Sequence, residues 1–198
     1  MHISEGVLSA PVLAAGAVLS VTGVAIGLKK TGYERLPQVA VLSSVFFIAS
    51  LIHVPVGPAA AHLVLNGICA VLLGWAAFPA ILVGLSLQML LFQFGGITTL
   101  GVNTFNMAFP AIVLAFVCRQ GIRSDNAFTR GASEFVVGAG SIMLSGLLVA
   151  LCLVITGEAF TSAAQTIVAV HVPVMLVEGT LTVFIIEFVR KVRPQMLN

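Results

Sequence analysis

Residues 76–93 read AAFPAILVGLSLQMLLFQ, a run of 18 residues without one charged side chain. The hydrocarbon core of a bilayer takes about 20 apolar residues as a helix, so this run is read as one membrane span. The pattern repeats on both sides of it. Charge clusters and Gly/Pro punctuation divide the chain into seven apolar runs: 10–28, 37–52, 62–73, 76–93, 104–119, 132–155 and 164–188. The third is short and is separated from the fourth at Gly74-Trp75. Such a short span is tolerated only where protein or a cavity surrounds it. The composition agrees, with 59% hydrophobic and 8% charged residues, against roughly 25% charged in soluble domains. A soluble fold must turn its outer layer to water, and this chain has too little polar surface to do so. The expected fold is an all-α membrane protein, a bundle of seven transmembrane helices forming a single domain over residues 1–198.

The nine basic residues fall in three clusters. Lys29, Lys30 and Arg35 follow the first run, Arg119, Arg123 and Arg130 the fifth, and Arg190, Lys191 and Arg193 the seventh. With seven spans all three lie on one side, which the positive-inside rule makes cytoplasmic. The alternate loops at 53–61, 94–103 and 156–163 hold no Lys or Arg. The N-terminus is therefore expected outside and the C-terminus inside. The opening Met1-His2-Ile3-Ser4-Glu5-Gly6 has no basic residue, so the start is read as mature rather than as a cleaved signal. Gly23 and Gly27 form a small-xxx-small pair, as do Ser141 and Ser145; such pairs allow close helix approach, here read as internal packing. Cys69, Cys118 and Cys152 form no CxxC pair and are read as small apolar fillers.

On this topology the four histidines gather in the outer half. His2 stands at the outer terminus, His53 in the first outer loop, His62 at the outer end of the third run, and His171 about two turns into the seventh. Glu5, Gln93, Asn103 and Asn106 lie in the same half, where basic residues are absent. The region suits a cation. His53 is read as a solvated loop residue, Asn66 as sharing a helix face with His62, and Glu178 as a deep carboxylate that needs a structural partner. His2 differs by covalent geometry. A free α-amine, the deprotonated backbone nitrogen of His2 and its imidazole can close two chelate rings on one metal. A fourth nitrogen, for which His62 is the candidate, completes a square plane of the kind that Ni(II) and Cu(II) favour, with Co(II) accommodated by distortion. No G-x-x-x-x-G-K-[ST] or H-E-x-x-H motif occurs, and the one aspartate, Asp125, lies in a cytoplasmic loop. The chain thus carries no P-loop and no Ser-His-Asp set on one side.

The start MHISEG resembles the MHIxEG opening of the CbiM/NikM family, the substrate-binding membrane subunits of energy-coupling-factor transporters for cobalt and nickel. Three further segments resemble it: HLVLNG at 62–67, GGITTLGVNTFNM at 95–107 and HVPVMLVEG at 171–179. The resemblance implies a seven-helix bundle whose N-terminal segment, residues 1–9, inserts and helps form the metal site. It implies Met1, His2 and His62 as metal ligands, with Glu5, Asn103 and Asn106 as outer or loop-ordering residues. The implied substrate is Co2+ or Ni2+. The implied partners are a transmembrane coupling subunit, two cytoplasmic ATPase subunits and often a small accessory membrane protein, all in a prokaryotic inner membrane, with no nucleic acid. The expected mechanism is outer capture, closure of the loop carrying Asn103 and Asn106, and inward release driven by the partners. Two other readings stay open: a self-sufficient secondary carrier using Glu178, and a membrane-embedded metalloenzyme.

Overall fold

The computed structural model describes residues 2–56 and 59–197, with the side chains of 53–61 outside the described set. The helices are α1 (Ala10–Lys30), α2 (Leu36–Ala49), α3 (Asn66–Leu73), α4 (Ala77–Phe92), α5 (Leu100–Val117), the short α6 (Arg119–Ile122), α7 (Ala127–Thr156) and α8 (Thr161–Val192). Two four-residue strands, β1 (His53–Val56) and β2 (Ala59–His62), form an antiparallel hairpin that pairs His53 with His62. Apart from that hairpin the regular secondary structure of the described residues is helical. Among the described residues five stretches are long and apolar enough to cross a membrane, one of them the α3–α4 run taken as a unit.

The packing of α1 follows from its smallest side chains. Its buried residues are Gly16, Ser20, Gly23 and Gly27, spaced to form one helical stripe. Val18, Val21 and Leu28 on the other faces are exposed, as suits hydrocarbon. Lipid is as apolar as leucine, so close van der Waals approach and hydrogen bonds must hold such a helix. Both are present: Gly23 lies under the Phe78 ring, Gly27 abuts the Trp75 carbonyl, and the Ser20 hydroxyl donates to the Gly101 carbonyl at 2.5 Å. The pair Gly23/Gly27 thus packs within the chain, as the sequence suggested.

Seven of the eight residues of α3 are buried, among them Ile68, Leu72 and Leu73. This half-length helix is wrapped by protein, which is what permits it. It ends at Gly74, whose φ of +57° suits a residue without Cβ. A 3-10 turn through Ala76 then starts α4. The start of α3 lies beside Met107 and Ser145, its end beside Arg35, and α4 runs back to Gln93. The predicted split at Gly74-Trp75 is therefore real. The predicted start of the third span at His62 is not. His62 closes β2, Leu63–Leu65 continue without helix, and Leu65 adopts φ +57°. His62 and Asn66 consequently do not share a helix face. The irregular stretch is held by Glu178 of α8, only 1% exposed, whose carboxylate accepts the N–H groups of Val64 and Leu65. The deep carboxylate has the structural partner expected of it, in the form of backbone.

The basic clusters meet at one end. Lys30, Arg35, Arg119 and Arg123 line one cavity, and Arg190 donates to the Ile122 carbonyl at 2.8 Å. Residues 2–9 lie at the other end of α1. If the α1 stripe holds the bundle, Gly27→Ala puts a methyl 2.5 Å from the Trp75 oxygen, at a cost of about 1–3 kcal/mol. Gly32→Ala, with nothing within 4 Å of its Cβ, is expected to be neutral. Thermal denaturation of both variants in the same detergent checks this.

Candidate metal centre

The N-terminal segment is irregular, with Gly6 at φ +76°, yet Ile3 and Leu8 are buried. Buried backbone needs partners, and a side chain supplies them. The Asn103 amide, in the first turn of α5, accepts the Ile3 N–H on Oδ1 at 3.0 Å and donates from Nδ2 to the Ile3 carbonyl at 3.1 Å. Nδ2 also lies 3.4 Å from Thr99 Oγ1. Further along, the Glu5 carboxylate accepts the Thr98 N–H at 3.4 Å and sits where a side chain on Gly96 would be. Ser9 N–H reaches Thr156 Oγ1 at 3.3 Å. The segment is thus tied at residues 3, 5 and 9 to the entrance of α5 and the end of α7.

These ties bring His2 onto His62. Their ring centroids are 4.9 Å apart with planes 21° from parallel. Phe94 completes the group, 5.7 Å from His2 and 6.3 Å from His62. His62 Nδ1 lies 2.8 Å from the Leu63 carbonyl. A carbonyl only accepts, so Nδ1 carries the proton and a neutral ring keeps its lone pair on Nε2. Burial pushes the His2 imidazole down to about 2, which keeps that ring neutral. His2 Nε2 is buried without a hydrogen-bond partner among the described residues. No group of three or more His, Cys, Asp or Glu side chains placed to hold a metal occurs among the described residues. The described side chains of these types thus bring two imidazoles together here and no third such group.

The remaining sequence candidates divide. Asn103 orders the segment directly, but from within a helix rather than a loop, because α5 starts at Leu100. Asn106, one helical turn on, faces Cys152 Sγ at 3.7 Å. The expectation that both asparagines sit in a closing loop is corrected, since both are buried in α5. Asn103 meets the 94–99 loop at Thr99, and Glu5 meets it at Thr98. His171 bonds its own helix, Nδ1 lying 2.7 Å from the Ile167 carbonyl. Met1 and the His53 side chain lie outside the described residues. Phe94 and Thr99 were missed; the one hint in the sequence was an aromatic residue immediately before the Gly95-Gly96 pair.

Comparison with known proteins bears on the family and the fold. The sequence model of the CbiM family, described as a cobalt uptake substrate-specific transmembrane region, matches residues 2–196. A Haemophilus influenzae relative, whose name provisionally marks it as a metal transport protein, is 39% identical over all of this chain and 97% of its own. The cobalt transport protein CbiM of Kyrpidia tusciae is 30% identical over all of this chain and 86% of its own. The fused nickel transport protein NikMN of Rhodobacter capsulatus is 36% identical over 74% of this chain and 44% of its own. The crystal structure of a transition metal transporter superposes with a TM-score of 0.78 at 24% identity, covering 97% of this chain and 93% of that one. At that identity the likeness shows the fold alone.

Two outcomes follow for the docked segment. Asn103→Ala leaves the buried Ile3 N–H and C=O unpaired, at about 1–3 kcal/mol for each group, and is expected to abolish hydrogen-exchange protection of the Ile3 amide. The pH dependence comes from His2. Undocked, the ring takes a proton near its ordinary 6.5; docked, it resists protonation until about 2. Docking is thus fully favoured above about pH 6.5 and weakens as pH falls through that window, by up to about tenfold per pH unit. Ile3 protection, corrected for intrinsic exchange, is expected to drop between pH 7 and 5, and His2→Phe, which keeps a ring in the stack, is expected to remove the drop.

Proposed function

This chain belongs to the CbiM family of cobalt-uptake substrate-specific transmembrane regions, and from that premise we propose that it is the metal-capturing subunit of an ATP-driven energy-coupling-factor importer of Co2+ or Ni2+. The observation that carries the reading is the approach of His2 and His62, 4.9 Å between ring centroids, at the end of the bundle away from the basic clusters. Metal–nitrogen bonds run about 2 Å, so two rings at this distance can share one ion. The ligand set is the Met1 amine, the His2 backbone nitrogen, the His2 imidazole and the His62 imidazole. Chelate rings formed by consecutive atoms of one chain favour a planar arrangement, which suits Ni(II) and is accessible to Co(II). Genes beside this one, for cobalamin synthesis or for nickel enzymes, decide between the two metals.

Each part of the surroundings has a task in this reading. Asn103 and Glu5 place the segment, the Leu63 carbonyl directs the His62 lone pair, Glu178 fixes the backbone just beyond His62, and Phe94 shields one side. Metal binding releases protons from the amine and from the amide that the metal displaces. In the membrane, the positive-inside rule places the basic end in the cytoplasm and the histidine end outside. The α3 turn at Gly74 is consistent with seven crossings. Energy must come from partners, since the chain has no P-loop: a transmembrane coupling subunit, two cytoplasmic ATPases and often a small accessory membrane protein. A secondary carrier would need Glu178 free to exchange ions, and its carboxylate is held by Val64 and Leu65. The family and its named relatives are transport proteins, not enzymes.

If His62 is a ligand, His62→Ala is expected to weaken Ni2+ binding by roughly 100-fold or more, at or above the upper range for losing an outer-shell partner. His53→Ala is expected to leave it near wild type. Isothermal titration on folded, purified variants checks both. For the amine, an added N-terminal residue is expected to stop radiolabelled metal uptake by the complete transporter, whereas a cytoplasmic C-terminal tag is tolerated at equal membrane abundance. Full uptake by the extended form would contradict the amine ligand.

A further inference from the structure

A cavity lies at the opposite, basic end of the bundle. It measures about 550 Å³ and is bounded by the last turn of α3, the turn at Gly74, the second half of α5, α6 and the final turn at Met196-Leu197. Lys30, Arg35, Arg119 and Arg123 line it, and no Asp or Glu does. Two of these cations are fixed in place. Arg35 donates to the Leu72 carbonyl at 3.0 Å, and Lys30 Nζ lies 5.2 Å from the Trp75 ring centroid. Two other basic residues at this end behave differently. Arg130 pairs with Glu187, and Arg190 with Glu134 at 3.0 Å, so the charge of these two is compensated within the bundle. The cavity keeps an uncompensated positive charge.

Much of the rest of the wall is apolar. Ile112, Val113 and Phe116 of α5 line it, and Phe116 is 74% exposed on a helix face of the kind that meets hydrocarbon. A free phosphate would use the cations and leave this wall and most of the volume unused. An amphiphile uses both. We propose that the cavity binds an anionic phospholipid, its phosphate among Arg119, Arg123, Lys30 and Arg35 and an acyl chain along Ile112 and Phe116. Basic cavities between transmembrane helices at the headgroup level have this recognition chemistry. The inference depends on membrane placement of that end and is independent of the metal ligands.

Trp75 is the one tryptophan in the chain and lines this cavity, so its fluorescence reports what occupies it. The full-length protein is reconstituted in phosphatidylcholine vesicles, and bromine-labelled phosphatidylglycerol or bromine-labelled phosphatidylcholine is added at low mole fraction. The anionic lipid is expected to quench Trp75 at a several-fold lower mole fraction than the zwitterionic one. Arg119→Gln/Arg123→Gln is expected to lower that preference by roughly fivefold per cation removed, with quenching by phosphatidylcholine unchanged. Arg119→Lys/Arg123→Lys is expected to keep the preference, which separates charge from misfolding. Equal quenching by the two lipids would overturn the proposal, as would a preference that survives the Gln substitutions. Complete competition by millimolar inorganic phosphate would reduce the cavity to a phosphate site. Protection of Trp75 from both lipids by a co-reconstituted coupling subunit would assign the cavity to a protein helix instead.

Discussion

The Asn103 amide treats Ile3 as a neighbouring strand would, taking its N–H at 3.0 Å and giving to its C=O at 3.1 Å. Without this pairing the buried backbone of Ile3 would be unsatisfied, and the segment would have reason to leave the bundle for water. With it, the residue before Ile3 has little choice of position, and that residue is His2. The stack of His2, His62 and Phe94, the burial that keeps His2 neutral and the contact of Glu5 with the 94–99 loop all depend on the docked terminus. The N-terminal segment is held in place because one side chain on α5 imitates a β-ladder.

The other half of the site is held in the same manner. His62 stands at the end of a two-stranded hairpin, just before chain that enters the bundle without helical hydrogen bonds. In lipid such backbone is untenable unless protein satisfies it. Glu178 does so for Val64 and Leu65, and Asn66 extends the scheme by donating to the Met107 carbonyl at 2.9 Å and to Ser145 at 3.2 Å. Buried polar side chains serve here as partners for irregular backbone. Asn103 and Glu178 both bond peptide groups far away in sequence.

Much of this was legible in the sequence. Apolar runs and basic clusters located the helices and put every cluster at one end, because a bilayer imposes length and charge asymmetry residue by residue. The break at Gly74-Trp75 was readable from composition. His2 and His62 were singled out by type and position, and they meet. What escaped were features set by distant contacts. The non-helical stretch Leu63–Leu65 is as apolar as any helix, and only Glu178, more than a hundred residues away, shows why it is extended. Asn103 and Asn106 look alike in the 95–107 motif, yet α5 turns one to the N-terminal segment and the other to Cys152. Phe94 carried only a weak signal, its place just before the Gly95-Gly96 pair.

The central claim is that backbone and terminal nitrogens join the two imidazoles on one metal. X-ray absorption at the nickel edge of the purified, Ni2+-loaded protein tests this directly. Four nitrogen donors in a planar arrangement, with the outer-shell scattering of two imidazole rings, is the result this account predicts. A sulfur donor, or six oxygen or nitrogen donors in an octahedral arrangement, would contradict it.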